Sequence, residues 1–492
     1  MHTPPASPSQ PPAHGLRETI EDNVLNPVAE ADRRSGWALL SNSAGVGTTL
    51  AMLLVGGGAS YLVGVWWTIA MAAVSAAFGA VIGTLTGRVS QSTGTSSTVT
   101  SRFHGLGASG SALASLMFAA IIVCFLALEN ALLYHGTLFM LDMAPSTTNA
   151  VVIYGVLTLV WIGLALFGVR LVQRVSLALT VLASVLMIVV TVLAFRESPL
   201  DVGGVLGFTP EHIGGTEVMA TLASMMGMVG ALTLTNADFT RYARTAKDVR
   251  IMAVGGALIV NFGVVVLGAL LYQAGDAVVA AYLEEPGRAD FAAAQPGGTT
   301  AEKVQALAHS NAGAYFVVLA GFVGFLVMYA AQVKAQVINA YTSSLSLTNL
   351  VDALTGRAPS RVLMLLVANA LALVAVWADI LSLLGELLGA LGIATCSLAA
   401  LLIADFRLAK GRSAARVERV NWAGVVALVV GFGVSYALFV TDTFQLAFLV
   451  TLVLTPLLYT VLRTTVLTPG TGTGYVEATA ALREHDGEEA TA

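Results

Sequence analysis

The chain has 492 residues, of which 56% are apolar and 11% are charged, whereas an ordinary soluble protein carries roughly 25% charged residues. So few charges cannot cover the surface of a soluble globular protein, so a soluble enzyme is nearly excluded. The 49 glycines show no three-residue period, which excludes a collagen-like chain, and the net charge is a mild -5. The composition therefore predicts an all-α, polytopic membrane protein.

Twelve apolar segments are candidate membrane spans, because a helix that crosses the bilayer needs about 20 mostly apolar residues. We number them span 1 to span 12 in chain order, and they cover residues 37–62, 66–87, 109–140, 149–169, 175–195, 217–237, 251–273, 313–340, 362–377, 380–404, 422–441 and 443–465. One transmembrane domain is therefore expected over 37–465. It lies between a Pro-rich, polar tail at 1–36 and a Gly/Thr-rich, then acidic tail at 466–492 that is expected to be disordered.

The distribution of basic residues tests this arrangement of spans. With twelve spans both termini lie on the same side, and that side then receives 20 of the 24 lysines and arginines. The other side receives only Arg196, Arg288 and Lys303, and Lys334 lies inside span 8. Because loops rich in Lys and Arg stay in the cytoplasm, we expect a multi-pass protein of the plasma membrane with both termini cytoplasmic.

No pattern typical of a catalytic or cofactor site stands out in the sequence. Residues 105–110, Gly-Leu-Gly-Ala-Ser-Gly, fit the dinucleotide motif, but a polar loop precedes them and a membrane span follows, so the glycines more plausibly turn the chain. A P-loop is absent, the seven histidines lack metal-ligand spacing, and Cys124 and Cys396 lie inside apolar runs. We expect neither an enzyme nor a bound cofactor or metal. The expected partners are the lipid bilayer and a small solute, not nucleic acid or an obligate protein.

Glycine and polar residues interrupt span 1 and span 6. In span 1 they occupy residues 41–49, and in span 6 they are Gly227, Gly230, Thr233, Thr235 and Asn236. Interrupted spans at matching positions of two halves are a sign of a transporter's binding site, and spans 1 and 6 are five apart, as a five-span repeat requires. The alternative interpretation is close glycine packing between straight helices.

Three ionisable residues lie deep inside predicted spans: Glu129 in span 3, Lys334 in span 8 and Glu386 in span 10. A charge at mid-helix costs roughly 2.5–3.5 kcal/mol or more in a membrane, so such a residue is a functional candidate. The Glu129 side chain is too short to reach the interface, whereas the Lys334 stem could snorkel and Glu386 could be close enough to the membrane surface to be hydrated. An ion pair between Glu129 and Lys334 is one arrangement that the sequence allows.

Several motifs resemble the purine/cytosine permeases, the nucleobase–cation symporter family. Residues 236–243, Asn-Ala-Asp-Phe-Thr-Arg-Tyr-Ala, look like that family's N-x-x-D-[FY]-[ST]-R-[YF] signature, and residues 341–350 resemble the stretch that follows its span 8. Weaker matches lie at 33–37, 101–105 and 403–406. The resemblance implies a leucine-transporter-like fold, in which two inverted five-helix repeats are followed by two further helices and spans 1 and 6 are broken. It also implies uptake of a nucleobase or related heterocycle, such as cytosine, by alternating access.

The same resemblance implies two groups of site residues. The substrate-binding group is Asn42, Phe125, Glu129, Gly230, Thr233, Gln336 and Asn339, and the ion-coupling group is Ala44, Gly45, Lys334, Ala335 and Glu129. The chain departs from the family at several positions. Phe125 stands in place of a larger aromatic residue, Glu129 in place of a neutral polar residue, and Val229 near a usual aromatic position. Lys334 and Ala335 stand where two hydroxyl residues would bind sodium.

Lys334 and Glu129 lead to two hypotheses about transport. An ammonium group at the sodium position would fill the same electrostatic site and repel a second cation, so transport is expected to be proton-coupled or otherwise independent of sodium. The Glu129 carboxylate could bind a solute with two adjacent N–H donors, as in an aminopyrimidine. Alternatively, Glu129 could itself carry the coupling proton. Two alternatives stay open: a cationic amine or guanidino solute held by Glu129 on the same fold, and a membrane receptor or channel without coupled transport.

Overall fold

The computed structural model describes residues 27–409 and 416–477, and between 168 and 176 it describes only the backbone. Residues 1–26 and 478–492, which make up most of the two predicted tails, lie outside the described residues. The described chain is predominantly helical, as expected for segments that must satisfy their own backbone groups in lipid. The two short strands Arg416–Glu418 and Tyr475–Glu477 pair antiparallel.

Helices occupy each of the twelve predicted spans. They are Gly36–Gly47 and Leu50–Val63 in span 1, Val65–Thr93 in span 2, Ser111–Met140 in span 3, Thr147–Gly163 in span 4, Val169–Glu197 in span 5, Gly215–Thr240 in span 6, Ala246–Ala257 and Val265–Leu283 in span 7, Ala312–Thr355 in span 8, Arg361–Trp377 in span 9, Leu384–Leu408 in span 10, Trp422–Val440 in span 11 and Ala447–Thr465 in span 12. Segments Leu164–Gly168 and Leu258–Val264 are π-helical. Shorter helices cover Glu30–Asp32, Ser97–Phe103, Val202–Leu206, Ala289–Ala293 and Thr300–Ser310.

The number of membrane crossings depends on how span 9 is counted. Within the described residues, ten helices are long and apolar enough to cross a membrane, or up to eleven spans if the bent pair of span 1 counts as one. The apolar helix of span 9 has only 17 residues. The chain is therefore built as a multi-pass membrane protein, while the total of twelve spans stays a prediction.

Span 1 is broken, as predicted. Its two helices are bent by 61° at a break. Thr48 (φ -81°, ψ 71°) and Thr49 (φ -128°, ψ 165°) form the break, and both residues are buried. Non-helical backbone at membrane depth is tolerated only where it is buried in protein or lines a cavity, so this burial is what permits the break.

Span 6 is one continuous helix of 26 residues, so the prediction that it is broken was wrong. Its glycines serve close packing instead. A Cβ atom on Gly227 would collide with the backbone carbonyl of Leu388, and a Cβ atom on Gly230 with the Thr395 hydroxyl, both in span 10. The glycines of span 6 thus reflect the close approach of two helices, which is the alternative that the sequence also allowed.

The helices pack as two groups with span 1 at their junction. Spans 1, 2, 6 and 7 pack against one another, while spans 3 and 8 run side by side and span 9 packs against both. Span 5 contacts members of both groups, span 10 packs along span 6, and spans 11 and 12 pack against each other and against span 10. Because span 1 also contacts spans 3 and 8, its break lies between the two groups.

The close approach of spans 6 and 10 makes Gly227 sensitive to any side chain. We expect Gly227→Ala to lower the free energy of unfolding by about 1–3 kcal/mol, because the added methyl group must displace the Leu388 backbone. Gly155→Ala in span 4 is the matched control, since nothing lies within 4 Å of a Cβ atom at that position. Thermal unfolding in detergent measures both variants, and equal melting temperatures would contradict the packing argument.

Candidate functional site

The break in span 1 places the backbone groups of two helix ends inside the protein. The last carbonyls and the first N–H groups of a helix have no partner within that helix. At the end of Gly36–Gly47, the Ala44 carbonyl accepts hydrogen bonds from the backbone N–H and the hydroxyl of Thr48, at 2.9 and 2.6 Å. The second helix begins after Thr49, whose side chain makes no capping hydrogen bond. The aligned peptide dipoles make the first end partly negative and the second partly positive.

The ammonium group of Lys334 lies beside the last two turns of the first helix of span 1, close to its partly negative end. Its Nζ donates to the Ser41 carbonyl and lies 3.4 Å from the Thr180 hydroxyl, which itself donates to the same carbonyl at 3.3 Å. Lys334 is 2% exposed, and a Cβ atom on Gly45 would collide with its Nζ. The absence of a side chain at Gly45 therefore lets the ammonium reach the backbone of span 1. Spans 1, 5 and 8 meet in this contact.

The carboxylate of Glu129 lies near the partly positive end. Glu129 is 3% exposed, and the Asn339 amide donates to its Oε2 at 3.4 Å. The side chain of Thr49, directly before the second helix of span 1, is another polar neighbour. Within the described part of the chain, Glu129 and Lys334 do not form the ion pair that the sequence allowed. The Lys334 ammonium lies beside the helix before the break, and the Glu129 carboxylate lies near the start of the helix after it.

A chain of hydrogen bonds across spans 4, 3 and 8 runs directly beside Glu129. The Oδ1 atom of Asn130 accepts from Trp161 Nε1 at 2.8 Å and from Gln336 Nε2 at 2.7 Å. Gln336 Nε2 also donates to the Leu126 carbonyl at 3.3 Å, and the three polar side chains are buried. These bonds fix the rotation of span 3 about its axis, so that Glu129 faces Thr49 and Asn339. Gln336, which was predicted to bind substrate, is held by span 3 in this structure.

The remaining predicted substrate residues do not all join this arrangement. Phe125 is buried on span 3, one turn before Glu129, and Asn42 is half-buried beside the lysine contact. Gly230 packs against span 10. Thr233 lines a narrow cleft that it shares with residues of spans 1, 2 and 7.

Of the predicted ion-coupling residues, Ala44 and Gly45 lie at the break with Lys334, and Ala335 is fully buried next to it in sequence. Glu386, the third intramembrane charge, is exposed at the start of span 10. This exposure is compatible with the expected position close to the membrane surface.

A cavity of about 750 Å³ opens at the end of the bundle opposite the described chain ends. It is lined by the second helix of span 1, the last turns of span 3, the first turns of spans 6 and 10, and residues 294–311. Among the described residues its ionisable side chains are Glu217, Asp379, His135 and His309, and no Lys or Arg lines it. None of the predicted substrate residues lines it, so they lie deeper in the bundle than the open volume.

Sequence reasoning missed Thr180, Asn130 and Trp161. Thr180 is one hydroxyl in the apolar run of span 5, and such residues commonly bond to their own helix, so nothing in the sequence marked it. Asn130 did carry a signal, because an amide at mid-span needs hydrogen-bond partners and membrane helices obtain them from their neighbours. Trp161 carried a similar signal, because a buried indole N–H usually finds an acceptor.

Asn130→Ala tests whether the hydrogen-bond chain holds spans 3, 4 and 8 together. We expect the free energy of unfolding to fall by roughly 2–4 kcal/mol, since Trp161 Nε1 loses its acceptor and Gln336 loses one of two. The control is Asn369→Ala, an equally buried asparagine whose amide donates only to Leu365 of its own helix. Thermal unfolding compares the two, and a smaller effect at Asn130 than at Asn369 would refute the proposed role.

Neither a protein-family profile nor a curated protein matches the sequence of this chain. Its structure does match solved structures. Mhp1, a nucleobase-cation-symport-1 family transporter, in a closed conformation with bromovinylhydantoin bound, superposes with a TM-score of 0.67 at 15% identity, over 91% of this chain and 97% of Mhp1. Inward-facing Mhp1 gives 0.64 at 16% identity, over 88% and 91% of the two chains.

A Na⁺-coupled sialic acid symporter in a substrate-bound, outward-open state is a third structural relative. It superposes with a TM-score of 0.61 at 13% identity, over 91% of this chain and 94% of the symporter. These similarities extend over nearly the whole of both chains, which confirms the expected fold but not the number of spans. The chain has the leucine-transporter-like fold of Mhp1, a transporter of the nucleobase-cation-symport-1 family.

Proposed function

We propose that this protein is a secondary transporter that imports a nucleobase or a related nitrogen heterocycle across the plasma membrane, without sodium. The observation that carries the proposal is the broken span 1, with a buried ammonium beside the last two turns of its first helix and a buried carboxylate near the start of its second. Broken helices near the middle of the membrane bind substrates and coupling ions in secondary transporters. The fold shared with Mhp1 supports the same class of function, and with both termini cytoplasmic the large cavity would face outward.

The sodium-independent part rests on where the Lys334 ammonium lies. It donates to a carbonyl of span 1 and contacts a hydroxyl of span 5, which are the hard oxygen ligands that a small metal cation also prefers. Two positive charges at this spot would repel each other strongly in a medium of low dielectric constant. A fixed lysine can release a proton but cannot leave, so the coupling ion would be a proton.

Replacing the lysine by hydroxyl residues tests this assignment without knowledge of the substrate. We expect the melting temperature of the wild-type protein to be the same in sodium and in choline chloride. Lys334→Ser combined with Ala335→Thr should gain a sodium-specific stabilisation, because an ion that binds only the folded state raises its stability by mass action. Lys303→Ser, outside the membrane spans, is the control and should gain none. Sodium-specific stabilisation of the wild type would refute the assignment.

The heterocycle part rests on the Glu129 carboxylate and the Asn339 amide beside it. A carboxylate accepts two parallel hydrogen bonds from adjacent N–H donors on one edge of a solute. The Asn339 amide could donate to, or accept from, the neighbouring polar atom on the same edge of that solute. Phe125, one turn away, supplies an aromatic surface on which a flat ring could pack. This set fits a small planar solute with a polar edge.

Glu129→Gln tests the part assigned to the carboxylate. We expect binding of a neutral base to weaken at least roughly tenfold, or about 1.4 kcal/mol, because Gln turns an N–H group toward the donors of the solute. Melting temperatures with cytosine, hydantoin and a small guanidine measure it, and Glu386→Gln, an exposed carboxylate, is the control. Unchanged binding with loss of accumulation driven by a proton gradient would make Glu129 the proton carrier instead.

One observation favours a second candidate, a cationic amine or guanidino solute. Glu129 has no cationic partner among the described residues, and the cavity above it presents Glu217 and Asp379 without a lining Lys or Arg. A cleft of one charge sign raises the local concentration of the opposite charge. Stabilisation by the guanidine alone in the same panel would select this candidate. Binding without accumulation in sealed vesicles would select a receptor or channel over a transporter.

A further inference from the structure

A short helix lies inside the end of the bundle at which the described chain ends also lie. A cavity of about 430 Å³ lies beside it, but none of the predicted substrate residues lines that cavity. The helix Ser97–Phe103 connects span 2 to span 3, and its residues 97–102 are buried. Connecting segments normally run over the surface because their backbone groups need water. This one is instead bonded to the ends of spans 6, 8 and 10, each time through an aspartate.

The first contact joins the helix to span 6. Asp238 accepts hydrogen bonds from the backbone N–H and the hydroxyl of Ser97, at 2.7 and 2.8 Å. Hydrogen bonds to an ionised carboxylate are shorter and stronger than those between neutral groups. Asp238 belongs to the motif 236–243, so the most specific part of the family resemblance lies at this contact and not beside Glu129 or Lys334.

The second contact joins the helix to span 8 and, through it, to span 3. The Arg102 guanidinium pairs with Asp352 at 2.8 Å and also donates to Asn349, whose amide donates to Ser115 of span 3. Arg102 is 3% exposed and Asp352 is 4% exposed. A buried pair of this kind depends on its geometry, because each charge has given up water that its protein partners must replace.

The third contact joins the segment to span 10. His104, the residue after the helix, lies 3.1 Å from Asp405 through its Nδ1 atom. Asp405 also accepts from Tyr459 of span 12. Three aspartates from three spans are thus held by one segment of eight residues, 97–104.

We propose that the segment 97–104 is the device that closes this end of the transporter, and that Arg102 is its central residue. A path for a solute through this end requires spans 6 and 8 to move apart, and one short helix cannot remain bonded to both when they do. The contacts therefore form when this end is closed and the opposite end holds the open cavity. The proposal rests on the alternating access assumed above, but its test reads accessibility and needs no substrate.

The test measures both ends of the same full-length protein with reporter cysteines. In a Cys124→Ala, Cys396→Ala background, one protein carries Ser346→Cys, at a buried position of span 8 between Lys334 and Asp352, and another carries Ser224→Cys, which lines the cavity. Arg102→Gln is added to each. We expect a hydrophilic maleimide to label the first reporter roughly tenfold faster and the second more slowly, as a one-decade shift between two states would give.

Two results would overturn the proposal. Faster labelling at both reporters would mean that the substitution merely loosens the fold, and unchanged labelling at both would mean that Arg102 does not hold this end closed. Asp352→Asn breaks the same pair from the other side and must reproduce the reciprocal change, so the test does not depend on the folding of one variant. Arg102→Lys, which keeps the charge, should give a smaller change.

Arg288→Gln is the matched control. It removes two ion pairs of similar length, 2.7 Å to Asp142 and 2.9 Å to Glu285, in the segment between spans 7 and 8 at the opposite end. Labelling of the Ser346→Cys reporter should not change, and an equal acceleration would refute a specific role of Arg102. The protein could show faster labelling at Ser346→Cys and slower labelling at Ser224→Cys and yet accumulate no solute. That result would support the closing role of the segment 97–104 and contradict the proposed transport, so the two proposals can be refuted independently.

Discussion

The carbonyl and N–H groups at the break of span 1 need partners in a place where lipid offers none. Thr48 satisfies one carbonyl locally, but the dipoles of the two half-helices still leave a negative end and a positive end in the middle of the protein. The Lys334 ammonium lies beside the last two turns before the negative end, and Glu129 lies near the positive end. Neither charge could remain buried without such a site, and the break would be less stable without them. The packing of spans 1, 3, 5 and 8 follows from this mutual dependence.

A fixed cation changes what the broken helix can do. A metal ion bound there could dissociate into the solution on either side of the membrane, and the contact between spans 1 and 8 would then lose the stabilisation that the ion provides. A lysine on span 8 stays attached, so the bond between spans 1 and 8 changes only when the ammonium loses its proton or when the spans move apart. On the proposal made above, proton release and helix movement are therefore one event. Gly45 is essential to it, because any side chain there would hold the ammonium away from span 1.

The sequence predicted the features that arise from the free-energy cost of burying charged and polar groups in a membrane. It did not predict the features that depend on how the helices are rotated and packed against one another. Glu129 and Lys334 stood out because a charge inside a membrane span is costly, and both are buried near the break that the polar run 41–49 indicated. The similar run in span 6 was misread because a glycine permits both unwinding and close approach, and only the position of Leu388 in span 10 decides between them. Thr180 and the separation of Glu129 from Lys334 depend on the rotation of helices, which local sequence does not set. The motif 236–243 identified the fold correctly, yet Asp238 binds Ser97 and Ala243 pairs with Arg34 at the closed end, away from the candidate site.

The two ends of the protein differ in how their carboxylates are satisfied, and this difference bears on which end is open. At the closed end Asp238, Asp352 and Asp405 each accept from a donor of the segment 97–104, whereas Glu217 and Asp379 face the cavity. Hydrogen bonds to charged groups contribute about 1.5–3 kcal/mol each, and about 1.4 kcal/mol changes an equilibrium tenfold. One such contact is enough to favour the cavity-open arrangement before any solute binds. On the proposals made above, a solute that reaches Glu129 would have to offset that preference through contacts made only after the cavity closes, so the specificity of the site would depend on the strength of the closure at the opposite end.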